Sequence, residues 1–106
     1  MAFVRTVNRH SAFIYPNKGS QEGRINLYCN PDKLYILFRD PSESLSNNSY
    51  NESNKIGIAY QTFDQYQYYL DLLRNEKPIN VTFNPGVSPP SFVVYCASEP
   101  PGEGEI

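Results

Sequence analysis

Only one stretch of this chain has the periodicity of a helix, Thr62–Lys77, and every other patterned segment alternates like a strand. Within it Phe63, Tyr66, Tyr69, Leu70 and Leu73 fall on one side at about 100° per residue, which predicts a core-facing stripe. Thr62 and Gln65 have the spacing of a capping box, Asp64 and Arg74 suit the two ends of the helix dipole, Asn75 suits a left-handed C-cap, and Pro78 forbids continuation. The helix is therefore expected over about 62–75. A single helix covers one face of a sheet, so the other strands must curl into a barrel or sandwich, or leave a face for a partner.

Residues 24–39 give the best hairpin signal. Ile25, Leu27 and Cys29 alternate with Arg24, Asn26 and Tyr28, and Leu34, Ile36 and Phe38 alternate with Tyr35, Leu37 and Arg39. Asn30-Pro31-Asp32-Lys33 between them suits a type I turn. Further strands are expected at Ile56–Tyr60, Ile79–Phe83 and Ser91–Ala97, and residues 2–15 read as two short strands or one bent strand. Gly57 and Ala59 leave one side of their strand small, open to a close backbone or a ligand. Turn chemistry marks residues 16–23 as a loop, and residues 40–55, rich in Ser and Asn, as a long mobile one. The expected organisation is one α+β domain over 1–97, an antiparallel-dominated sheet of five to seven strands on one helix, and an acidic flexible tail over 98–106. The placement of one helix between a third and a fourth strand resembles the OB-fold and β-grasp variants, a likeness of element order without a sequence motif.

The chain has 106 residues and a net charge of −2, which argues against a generally basic nucleic-acid footprint but leaves room for a local one. Neither a signal peptide nor a run of apolar residues long enough to span a membrane is evident, so the expectation is a cytoplasmic chain away from the membrane. Cys29 and Cys96 are expected as thiols, because disulfides are rare in a reducing compartment. With one histidine they cannot complete a four-ligand zinc site, and neither metal nor cofactor is expected. No nucleotide-binding, zinc-protease or serine-hydrolase signature occurs. His10 beside a cysteine is the one nucleophilic arrangement the composition offers, and a hydrogen-bonded histidine at a strand bend is the simpler account.

These features point to a non-enzymatic binding or assembly module. Tyr68 and Leu72, four apart on the helix side opposite the core stripe, are candidate anchors for a protein partner or a homodimer. The alternative places a single-stranded nucleic acid or small ligand on the second face of the hairpin, where Arg24, Tyr28, Tyr35 and Arg39 gather.

Overall fold

A computed structural model of the chain describes residues 2–17 and 20–96. In chain order the elements are β1 (Phe3–Thr6), β2 (Arg9–Asn17), β3 (Ser20–Tyr28), β4 (Lys33–Arg39), β5 (Ser49–Asn51), β6 (Ile56–Thr62), a 3-10 turn (Phe63–Gln65), α1 (Tyr66–Asn75), β7 (Ile79–Asn84) and β8 (Ser91–Cys96). The fold is α+β and mostly antiparallel, as the residue pattern predicts. The strands divide into two sheets, ordered β1-β7-β8 and β2-β3-β4-β6-β5, and they form no closed barrel. The one parallel pair is β4 with β6. The expected tail at 98–106 lies outside the described residues.

Alternation on β3 and β4 builds the core. Ile25 and Ile36 face each other, as do Leu27 and Leu34, and all four are buried together with Cys29 and Phe38. Each such fully buried aliphatic or aromatic side chain contributes roughly 1.5–3 kcal/mol, so this face dominates the fold. The three-stranded sheet brings Val81 and Phe83 to the same core, and α1 brings Tyr66, Leu70 and Leu73. Phe83 stacks on Phe3 and meets Phe92 edge-on, and Phe38 receives the edges of Tyr66 and Tyr69. Both the small sheet and the helix therefore sit on one face of the five-stranded sheet.

Several local readings change. Residues 16–23 are not an open loop: β2 and β3 form a tight hairpin whose register runs from Arg9–Tyr28 to Asn17–Ser20. The two N-terminal strands belong to different sheets, and the chain crosses at Val7 and Asn8, whose N–H groups donate to the carbonyls of Ile79 and Tyr28. Residues 40–55 include the short strand β5 and side-chain hydrogen bonds to backbone. The Asn48 side-chain oxygen accepts from the Tyr60 N–H at 3.1 Å, and the Asn51 oxygen accepts from the N–H of Ser53 and Asn54. Serine and asparagine supply local hydrogen bonds that hydropathy does not register. The Asn30–Pro31 bond is cis, Asn30 has φ 42°, and the Cys29 N–H donates to the Asp32 carbonyl across this connection. At the helix start Thr62 donates to the Asp64 carboxylate instead of capping Gln65, and at its end Glu76, in extended conformation, donates its N–H to the Leu72 carbonyl.

Gly23 shows how tightly the helix sits. A Cβ there would lie 2.7 Å from the Phe13 carbonyl oxygen and 3.0 Å from the Phe63 and Tyr66 rings. That same carbonyl accepts the Tyr66 hydroxyl at 3.0 Å. Gly23→Ala is expected to cost about 1–3 kcal/mol by overpacking, read as a lowered thermal midpoint in circular dichroism. An unchanged midpoint would show that the helix is free to lift.

Candidate functional site

The opposite face of the five-stranded sheet has no strand or helix over it among the described residues. Its side chains form a grid set by the register. One row across β2, β3, β4 and β6 holds Arg9, Tyr28, Lys33 and Ile56, and the next holds Ser11, Asn26, Tyr35 and Ile58. Phe13, Arg24, Leu37 and Tyr60 follow, then Tyr15, Glu22, Arg39 and Thr62. On β4 every inward residue is buried, whereas Lys33, Tyr35, Leu37 and Arg39 are all partly exposed. The four residues expected on this face, Arg24, Tyr28, Tyr35 and Arg39, are thus brought together. Arg9, Phe13, Tyr15 and Tyr60 join them, and the sequence reading missed these because the strand pairing that aligns them is not visible in one segment.

The grid is held by short-range contacts. The Arg9 guanidinium lies 3.9 Å from the Tyr28 ring centre and that of Arg24 4.5 Å from the Tyr35 ring centre, both in cation–π range. Asn26, buried at the centre, accepts from Arg24 Nε at 2.7 Å and donates to the Tyr28 hydroxyl at 3.3 Å. The Asn26 and Ser11 hydrogen bonds hold the Tyr28 phenol below its usual pKa. Arg39 bridges Glu22 at 3.2 Å and Glu43 at 3.5 Å. The face carries Arg9, Arg24, Lys33 and Arg39 against Glu22, with Glu43 reaching Arg39 from the segment after β4, in a chain whose net charge is −2. It is an electropositive, aromatic plane on an acidic protein.

A second cluster lies where the two sheets meet. Asp32, only 1 % exposed, accepts from Arg5 Nε at 2.8 Å and from the Tyr50 hydroxyl at 2.5 Å. It borders a cleft of about 440 Å³ that also meets Phe3, Lys55 and Pro85. An aspartate after Asn-Pro reads as turn chemistry, so nothing in the local pattern signals a buried carboxylate. Burial, then the Asp32 hydrogen bond and charge, push the Tyr50 phenol up to about 12. Burial pushes the neighbouring Cys29 thiol up to about 11.

The other candidates separate. Cys29 and Cys96 are not disulfide-bonded; Cys29 is buried with its thiolate disfavoured, and Cys96 is on β8, in the other sheet from His10. His10 is exposed and lines a different cleft with Leu73 and Pro78. Asp64 and Asp71 are exposed, and each is engaged locally, with Thr62 and Gln67. The small side of β6 offers no ligand space at Gly57, where the Phe92 ring stands 2.6 Å from a Cβ position. Among the described residues no group of three or more His, Cys, Asp or Glu converges as a metal site, and no helix is long and apolar enough to cross a membrane. On α1, Tyr68 is 69 % exposed, but Leu72 is half-buried against the core. Comparison with known proteins found no matching family model, no matching curated protein and no matching solved structure.

Two outcomes follow from this geometry. Tyr50 and Cys29 keep their protons in the folded chain at pH values where the unfolded chain, with ordinary tyrosine and thiol groups, has lost them. Stability is then fully present below about pH 9 and falls as pH rises toward about 12. Denaturant titrations at stepped alkaline pH should show that fall, and Cys29→Ala should flatten its lower part; an identical slope in the variant would contradict it. Leu72→Asp, placing a charge against the core, should destabilise the monomer by about 1–3 kcal/mol, measured by urea unfolding. A fully stable variant would return Leu72 to the surface.

Proposed function

We propose that the protein is a non-enzymatic binding module whose working surface is the uncovered face of the five-stranded sheet, and that its ligand is a single strand of nucleic acid. The observation that carries this reading is the concentration of arginine and aromatic side chains on one plane of an otherwise acidic chain. Of nine lysines and arginines, four stand on this face, beside Phe13, Tyr15, Tyr28, Tyr35 and Tyr60. Among the described residues no carboxylate forms an ion pair with Arg9, Arg24 or Lys33. Aromatic rings accept bases by stacking whatever the sequence, and flanking cations follow the phosphates.

Protein–protein assembly, the other function expected from the residues, is favoured by a separate feature, the open edge of the same sheet. The helix offers it only Tyr68, since Leu72 is engaged with the core. Edge-to-edge assembly leaves the face free, so the two readings do not compete for one surface.

Fluorescence anisotropy with a labelled oligothymidine tests the ligand. Binding is expected at low salt and should weaken as salt rises, with a slope of about −0.7 per phosphate neutralised. Tyr35→Ala should weaken it by roughly 1–3 kcal/mol per lost stacked base, and Arg9→Ala should also lower the salt slope. Tyr68→Ala should change nothing. Absence of binding at low salt, or equal losses for Tyr68→Ala and Tyr35→Ala, ends the reading.

A further inference from the structure

The five-stranded sheet ends in two unlike edges. β5 is three residues long, while β2 runs for nine. Long edges are normally blunted by charge, proline or brevity, because their unpaired N–H and C=O groups template pairing with another chain. β2 instead presents Ala12, Phe13, Ile14 and Tyr15 consecutively, all exposed, with Ile14 at 63 %. Among the described residues no strand pairs with this edge, and a run of exposed apolar residues there marks a functional surface.

The hairpin register shows which backbone groups are free. Asn17 pairs with Ser20 across a two-residue connection, and such a connection closes on a pair that exchanges both hydrogen bonds. Counting back in twos, Tyr15, Phe13, Ser11 and Arg9 bond to β3. The backbone groups of Ile14, Ala12 and His10 point outward, and so does the position of Pro16, which has no N–H. The usable edge is therefore bounded by Pro16 at one end and by the crossing at Val7 and Asn8 at the other. Its midpoint is Ala12.

We infer that β2 pairs antiparallel with β2 of a second copy about a two-fold axis at Ala12, joining two five-stranded sheets into one of ten. The surface is the backbone edge of β2, which borders the ligand face and shares Arg9, Phe13 and Tyr15 with it, and the pairing does not depend on what that face binds. The register follows from the bounds: Ala12 meets Ala12 of the second copy, His10 meets its Ile14, and Pro16 falls opposite its Asn8, where no donor is needed. Every outward donor from His10 to Ile14 is satisfied.

The side chains agree with the same register. Arg9 comes opposite Tyr15 of the second copy, and Glu22 stands beside that tyrosine, paired with it on β3. The cationic end of one edge thus meets the aromatic and acidic end of the other, twice by symmetry. On the core side, Ile14 of the second copy stands next to His10. There it meets the mouth of a cleft of about 720 Å³ whose walls include Val7, Leu73, Pro78 and Ile79. On the ligand side, the aromatic grid continues from one copy into the next.

Sedimentation velocity on the full chain tests the inference. The expected species has twice the chain mass of 12.1 kDa. Ala12→Pro removes a donor that faces solvent in the monomer, a position where an edge strand tolerates proline, and should weaken the dimer at least about tenfold, as should Ile14→Lys, which puts a charge on the edge. Ala12→Cys gives a register-specific readout. Its two Cα atoms would stand about 5.5 Å apart, within disulfide reach, so mild oxidation should cross-link it, whereas Ile14→Cys and the parent chain with Cys29 and Cys96 should not. A parent chain that is monomeric at about 100 µM (a Kd in the millimolar range) overturns the inference. So does a dimer that persists in Ile14→Lys without cross-linking in Ala12→Cys. If Ala12→Pro fails to fold, the lysine and cysteine variants still decide between these results.

Discussion

Asp32 is the joint of the molecule. Its carboxylate is buried where the β3–β4 turn, the first strand and β5 meet, and it receives the guanidinium of Arg5 and the hydroxyl of Tyr50. Those two donors come from different sheets, so one anion fixes the three-stranded sheet against the five-stranded one. A pair of this kind adds little net stability compared with an apolar replacement, because the Asp32 carboxylate must be desolvated while Arg5, 37 % exposed, is screened by solvent. Its strength is in specification. Losing either partner leaves a buried charge or donor unanswered, and alternative packings of the two sheets would do the same. The Phe3, Phe83 and Tyr50 rings pack around it and supply the apolar surface that the charges do not.

The uncovered face of the large sheet is a consequence of the same arrangement. The crossing at Val7 and Asn8 folds β1 back over the core side, where it pairs with β7, and the parallel β4–β6 connection delivers α1 to that side as well. Among the described residues, the small sheet and the helix both cover the same face of the large sheet. The other is left with alternating residues that are too aromatic for an ordinary solvated surface and too basic for a core. Asn26 is buried beneath them without any overlying layer, because Arg24 and Tyr28 close over it.

How much of this was legible depended on the range of the signal. The stripe of Phe63, Tyr66, Tyr69, Leu70 and Leu73 and the alternation of Ile25, Leu27, Leu34, Ile36 and Phe38 are local patterns, and the structure buries all of them except Phe63 and Tyr69, which are half-buried against the same core. Arg24, Tyr28, Tyr35 and Arg39 were readable as one face because a hairpin carries its own register. The division into two sheets was not readable, since it rests on Thr6 meeting Asn80 and on a single crossing. Tyr50 lay in a segment whose polarity resembles disorder, and its anchoring to Asp32 is long-range. Leu72 was assigned to the outer side of the helix by angle alone. Leu72 is instead partly buried and packed against the core cluster.

The pairing of β1 with β7 also orders the events of folding. Thr6 and Asn80 are 74 positions apart, and all of the large sheet and the helix lie between them. The β2–β3 and β3–β4 hairpins close short loops and can form early, whereas the small sheet must wait for the longest loop in the molecule to close. During synthesis from the N-terminus, β1 emerges well before β7. For that interval the first strand is an unpaired ribbon attached to a half-built sheet, so pairing of the small sheet is deferred until β7 has followed the helix.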